Sequence, residues 1–102
     1  MESTLKAEID NIINSHDVVM FSKSYCPYCA KAKALLAQHG VKVFIMELDD
    51  VENGAAIQAY LKELTGQRTV PNIFINKEHI GGCDDLFKLE KSGQLKALLA
   101  KF

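Results

Sequence analysis

Apolar positions recur along the chain with two different periods, and each change of period marks a new element. Leu5, Ile9, Ile12 and Ile13 fall at helical spacing, which predicts an amphipathic helix over residues 3–14. Val18, Val19, Met20 and Phe21 form an unbroken apolar run, the pattern of a short strand buried on both faces. Helical spacing returns over residues 27–38, where Cys29, Ala32, Leu35 and Leu36 make an apolar face and Gly40 supplies a stop. Lys31, Lys33 and Gln38 lie off that face. Val41 to Met46 reads as a second strand. Ala56, Ile57, Tyr60, Leu61 and Leu64 mark a third helix closed by Gly66. A third strand, Asn72 to Ile75, begins just after Pro71, and Asn76-Lys77 turns it into a short fourth strand, Glu78 to Ile80. Gly81-Gly82 break the pattern, Asp84 or Asp85 is the expected cap of the next helix, and Ser92 that of the last helix, which carries Leu95, Leu98 and Leu99.

The order α-β-α-β-α-β-β-α predicts an α/β fold. The first two strands flank a helix and should pair in parallel through a right-handed crossover. The last two are joined by a tight turn and must be antiparallel. A four-stranded mixed sheet with helices on both faces follows.

Composition narrows the picture. With 102 residues the chain fits one domain, 1–102, and 48% hydrophobic content allows a core without metal or disulfide staples. Twelve basic and 13 acidic side chains leave a formal net charge of −1, so no basic footprint for nucleic acid or an anionic membrane is expected. No stretch approaches the ~18 apolar residues of a membrane span. Residues 1–10 carry Glu2, Glu8 and Asp10 and lack the basic and apolar regions of a secretion signal, so a reducing, cytoplasmic setting is expected. Three cysteines are too few, and odd in number, for a secreted disulfide scaffold. They point to chemistry, a metal, or packing.

The dominant chemical feature is Cys26-Pro27-Tyr28-Cys29, between the first strand and the second helix. Pro27 suits the first helical position, where its missing N–H is not needed. Cys26 then stands at a helix N-terminus, where the dipole and free N–H groups favour a thiolate. Lys23 is three residues upstream and adds positive charge. Cys29 sits one turn inside, within reach of a disulfide with Cys26. An exposed nucleophile followed by a shielded resolving thiol is the order that dithiol exchange requires. Two other uses compete. A single cysteine is usually a small buried hydrophobe. Cys26, Cys29, His79 and Cys83 would also make a Cys₃His zinc set, although zinc knuckles usually stand on turns in chains that cannot fold without metal. His16 and His39, like His79 outside that set, read as structural or surface residues.

Three separated motifs carry a resemblance that covers nearly all of the chain. They are Cys26-Pro27-Tyr28-Cys29 with Lys23 ahead of it, Thr69-Val70-Pro71 before the third strand, and Gly81-Gly82-Cys83-Asp84-Asp85 before the penultimate helix. In this order they make the sequence similar to the dithiol glutaredoxins. The resemblance implies a thioredoxin-like fold with Pro71 in the cis form. It also implies glutathione as co-substrate, with no tightly bound cofactor and no metal. Val70 would offer its backbone N–H and C=O to the cysteinyl part of the ligand, beside Thr69, as a one-residue strand addition. Lys23 and Gln58 match the residues that meet the glycine carboxylate in similar proteins; Gln58 lies off the Ile57–Tyr60–Leu61–Leu64 face. The γ-glutamyl carboxylate would meet the N–H groups of Cys83 and Asp84 at a helix N-terminus, and the Asp84 carboxylate would accept from the γ-glutamyl ammonium. Arg68 adds positive potential nearby, Tyr28 would wall the groove, and Cys83 is expected to matter through its backbone, with an inert thiol.

The implied activity is glutathione-dependent thiol–disulfide exchange through Cys26 and Cys29, acting on glutathionylated and disulfide-containing proteins as a monomer. An NADPH-dependent glutathione reductase would be the external recycler. A thioredoxin is the nearest enzymatic rival, but that family usually has Trp before the first Cys and Gly-Pro within the pair, whereas this chain has no Trp. Some similar proteins hold a [2Fe–2S] cluster between two protomers, a use that Pro27 disfavours.

Overall fold

The computed structural model describes residues 2–101. Its elements are α1 (Glu2–Ser15), β1 (Val18–Ser22), α2 (Pro27–Gln38), β2 (Phe44–Glu47), α3 (Gly54–Thr65), β3 (Asn72–Ile75), β4 (Glu78–Gly81), α4 (Cys83–Ser92) and α5 (Gln94–Leu99). The sheet order is β2-β1-β3-β4. β1 runs parallel to β2 and antiparallel to β3, and β3 is antiparallel to β4, the mixed sheet that the sequence pattern predicts.

β1 is central, and all five of its residues are buried, because successive side chains feed two different cores. Val18 and Met20 join Ile73, Ile75, Ala32, Leu35, Leu36, Leu86, Leu95 and Leu99 on the face covered by α2, α4 and α5. Val19 and Phe21 join Phe74, Ile9, Ile13, Leu48, Ile57 and Leu61 on the face covered by α1 and α3. An unbroken apolar run is therefore what a strand in this position needs.

Three sequence expectations shift. The second strand starts at Phe44 rather than Val41. Its ladder with β1 begins at Val19↔Phe44, so Val41 and Val43 lack strand partners and pack against the α2/α4/α5 core as loop residues. The third helix begins at Gly54, ahead of Ala56, and glycine is needed at that start because a Cβ at 54 would overlap the Leu48 carbonyl oxygen. Ile57 and Leu61 form its buried stripe, whereas Ala56 is exposed and Leu64 is 47% exposed. Finally, the last helix is separate as expected, but its N-cap is Gly93, φ +82°, and not Ser92. Ser92 belongs to α4; its Oγ accepts from the Gln94 N–H at 3.3 Å, so it steadies the junction from two residues away and does not stand at the cap itself.

Candidate active site

The α2 N-terminus is built as the Pro27 position predicts. Pro27 is the first helical residue and Cys26 is the N-cap in extended conformation, φ −84° and ψ 118°. An ordinary cap uses a side-chain oxygen to accept from an unpaired N–H of the first turn. Here the Cys26 sulfur takes that role: the Cys29 N–H donates to Sγ at 3.3 Å. The loop before it is fixed by Cys26 N–H donating to the Lys23 carbonyl at 3.0 Å. A carboxylate from the end of β2 holds the same loop. Asp49 accepts from the Ser24 N–H at 2.9 Å and from the Ser24 hydroxyl.

The two thiols of the pair are opposite in character. Cys26 is partly exposed and Cys29 is fully buried. Partial burial is the largest influence on Cys26 and opposes ionisation. It is outweighed by hydrogen bonds from the Cys29 thiol and N–H, the Tyr28 N–H, and the charge of Lys33, so the Cys26 pKa lies below the ordinary thiol value. Cys29 is pushed up, first by burial, with hydrogen bonds to the Lys23 backbone and Ser22 opposing and the neighbouring Cys26 reinforcing. The positive charge among the leading influences on Cys26 is that of Lys33, two helical turns along α2. Lys23 contributes instead to holding Asp49 in its charged form, and Lys33 pairs with Glu47 at 2.6 Å.

Beside Cys26 runs a groove of about 460 Å³ lined by Tyr28, Gln67, Thr69, Val70, Pro71, Gly82, Cys83, Asp84 and Asp85. The Val70–Pro71 peptide is cis, and Cys26 Sγ lies 4.0 Å from the Val70 carbonyl oxygen. The opposite wall is the start of α4. Its N-cap is Gly82, one residue before the helix; Asp84 and Asp85 are inside the first turn and are not caps. Asp85 reaches back to accept from the Gly82 N–H at 3.0 Å. That approach needs Gly81, whose φ is +122° and whose missing Cβ would overlap the Asp85 carboxylate. The N–H groups of Cys83 and Asp84, in the first turn, have no partner within the helix and lie along the groove.

Of the residues named from sequence, Tyr28, Thr69, Val70, Pro71, Cys83 and Asp84 line this one groove. Lys23 and Gln58 do not. Lys23 is half-buried, and the Gln58 amide donates to the Arg68 carbonyl at 2.7 Å. Cys83 is 8% exposed, and its thiol is pushed up by burial and by Asp84. The zinc set is not assembled: among the described residues no three of His, Cys, Asp and Glu are grouped to hold a metal ion. His79 pairs with the Asn72 side-chain oxygen at 2.9 Å. Sequence reasoning had Gly82 and Asp85 only as part of a motif, without a role in the wall, and missed Gln67 as a wall residue, Lys33 as a charge acting on Cys26 and Asp49 as the loop's anchor.

A thiolate-bearing N-cap one turn from a buried thiol, opening onto a groove with exposed peptide groups, is equipped for disulfide exchange. The comparisons with known proteins agree. The family model described as Glutaredoxin matches residues 18–80. The chain belongs to the glutaredoxin family. It is 51% identical over 98 residues to Glutaredoxin-1 of Rhizophagus irregularis, covering 96% of this chain and 97% of that one. It is 54% identical over 90 residues to Glutaredoxin-C2 of Arabidopsis thaliana, covering 88% and 81%. Among solved structures, a buckwheat glutaredoxin–glutathione complex matches with TM-score 0.95 at 42% identity, covering 98% of this chain and 91% of that one. The fold is accordingly the thioredoxin fold of glutaredoxins, and the chain is a thiol–disulfide oxidoreductase. Among the described residues no helix is long and apolar enough to cross a membrane.

Proposed function

We propose that this glutaredoxin uses glutathione to reduce protein–glutathione mixed disulfides and protein disulfides, through Cys26 and Cys29. The observation that carries the reading is the groove beginning at Cys26, with the Val70 main chain on one wall and the unpartnered N–H groups of Cys83 and Asp84 on the other. A γ-glutamyl-cysteinyl-glycine has the groups to match: a peptide-flanked cysteine for Val70, an α-carboxylate for a helix N-terminus, and an ammonium for Asp84. The bound glutathione of the buckwheat relative is consistent with this. Lys23 and Gln58 remain proposed contacts for the glycine carboxylate; the Gln58 amide has a second N–H beyond the one given to Arg68.

Cys26 thiolate attacks the glutathione-side sulfur of the mixed disulfide. The target thiolate leaves and takes a proton, and Cys26 carries the glutathionyl group. A glutathione thiolate then attacks that group's sulfur, which releases glutathione disulfide and regenerates Cys26. For protein disulfides, Cys26 attacks one target sulfur and the other leaves as a thiolate; Cys29 then attacks Cys26 Sγ, which releases the second target thiolate, and two glutathiones reduce the resulting Cys26–Cys29 disulfide and leave as glutathione disulfide. Cys29 must lose its proton at that step, and the neighbouring Cys26 thiolate that opposes its ionisation has by then been consumed. No resident cofactor is required, and the 102 residues act as one monomeric domain.

The test is glutathione-dependent reduction of a glutathionylated peptide and of a protein disulfide by wild type, Cys26→Ser and Cys29→Ser. Cys26→Ser should lose both activities, to below about a thousandth of wild type. Cys29→Ser should keep the first and lose the second. Full activity in Cys26→Ser overturns the reading.

A further inference from the structure

We propose that Gln67 is a positioning residue for the glutathionyl substrate, acting by presetting the main chain of Val70. This rests on the glutathione reading above. A side-chain amide has two N–H donors on one nitrogen. In Gln67 that nitrogen donates to the Thr69 carbonyl and to the Pro71 carbonyl, each at 2.9 Å. The two carbonyls flank Val70 on either side and are drawn to one point. Gln58 takes the preceding carbonyl, that of Arg68, at 2.7 Å. Three of the four carbonyls from 68 to 71 are therefore occupied by glutamine amides, and the fourth, on Val70, faces Cys26 Sγ at 4.0 Å. An extended peptide group can act as a pairing edge only when its orientation is fixed and its own donor and acceptor are unspent. Gln67 supplies the first condition without violating the second.

Gln67 is itself anchored. Its N–H donates to Thr65 Oγ1 at 3.0 Å, and the Thr65 hydroxyl donates to the Leu61 carbonyl at 2.7 Å, so the strut starts from the last turn of α3. Its amide head also approaches the opposite wall: a Cβ on Gly82 would lie 3.7 Å from Nε2. The same side chain thus spaces the Val70 wall from the start of α4. Its removal should loosen substrate binding while leaving the nucleophile unchanged, since Gln67 is not among the groups that set the Cys26 thiolate.

The experiment uses Gln67→Met, which keeps length and loses both donors, and Gln67→Glu, which turns a carboxylate towards two carbonyls. Each is assayed on a glutathionylated peptide and on the same peptide bearing a 2-mercaptoethanol mixed disulfide, which has no peptide group to pair with Val70. KM for the glutathionylated peptide should rise about tenfold or more, as for two lost hydrogen bonds, with kcat within about twofold. KM for the mercaptoethanol peptide and the pH profile of Cys26 alkylation by iodoacetamide should stay as in wild type. Unchanged KM in both variants, or a parallel loss on both peptides, overturns the assignment of Gln67 alone. A wild-type enzyme that does not prefer the glutathionylated peptide overturns the glutathione reading and this inference with it.

Discussion

The rim of α2 and the turn beneath it hold the same residue type three positions apart, yet they are chemically opposite environments. At the rim, Cys26 sits where N–H groups have no carbonyl to bond, and its sulfur fills the place of a capping oxygen. One turn inside, those N–H groups are spent on the helix, and Cys29 is packed with no exposed surface against the sheet. Desolvation raises both thiols, but only the rim offers donors to overcome it. The asymmetry between nucleophile and resolver thus comes from the helix terminus together with the Cys29 thiol and the Lys33 charge that act on Cys26. The proline after the first cysteine fixes where that terminus falls.

Alkylation is the most direct way to break this comparison. With iodoacetamide at neutral pH, Cys26 should react at least about tenfold faster than Cys29 or Cys83, because reaction follows thiolate fraction and access. The Cys26 rate should rise through a pKa below the ordinary thiol range, and the other two only above it. Site-resolved mass spectrometry reads all three at once, and equal rates would contradict the asymmetry. A smaller effect separates the two lysines. Lys33→Met should shift the Cys26 profile upward and slow its alkylation at neutral pH by no more than about threefold, as expected for one half-exposed charge. Lys23→Met should leave the profile where it is. A shift with Lys23→Met and none with Lys33→Met would restore the reading from sequence adjacency.

The smallest effect lies in the loop that carries Cys26. Ser24 holds the Asp49 carboxyl below the usual carboxylate range, through its hydroxyl and then its N–H. A carboxyl depressed in the folded protein stabilises it above the unfolded-state pKa, and that contribution is lost as pH falls through the folded value. Asp49→Asn should therefore lower the unfolding midpoint at neutral pH, with the difference from wild type shrinking in acid. Thermal unfolding at a series of pH values checks the sign. A difference that grows in acid would show that Asp49 acts otherwise.

Much of this was legible in the chain because the signals were local. β1 announces burial on both faces by its unbroken apolar run, and Pro27 announces a helix start with Cys26 at its cap. The groove's 69–71 and 82–84 segments were readable through a resemblance, not through physics visible in sequence. What escaped depends on partners distant in the chain. Val41 and Val43 have the alternation of a strand, but a strand begins only where a neighbour can pair, and β1 first meets this segment at Phe44. Lys23 is near Cys26 in sequence, yet the charge that helps lower the Cys26 pKa is that of Lys33, seven residues along α2. Glu47 and Asp49, which engage Lys33 and the Cys26 loop, follow from the end of β2. Gln67 looks like any loop glutamine until its two carbonyl partners are seen.

Gly81 and Asp85 have a consequence for how this protein can change over generations. The carboxylate of Asp85 fills the volume that any larger residue at 81 would need, in a backbone conformation that only glycine adopts readily. Position 81 is held to glycine twice over, by that carboxylate and by its own φ. A side chain at 81 would displace the carboxylate that secures the Gly82 N–H, and losing that carboxylate would not free 81, whose φ of +122° still excludes a side chain. The two positions are therefore unequal: a change at 85 gives up one hydrogen bond at the start of α4, whereas a change at 81 also forces a side chain into a backbone conformation suited to glycine.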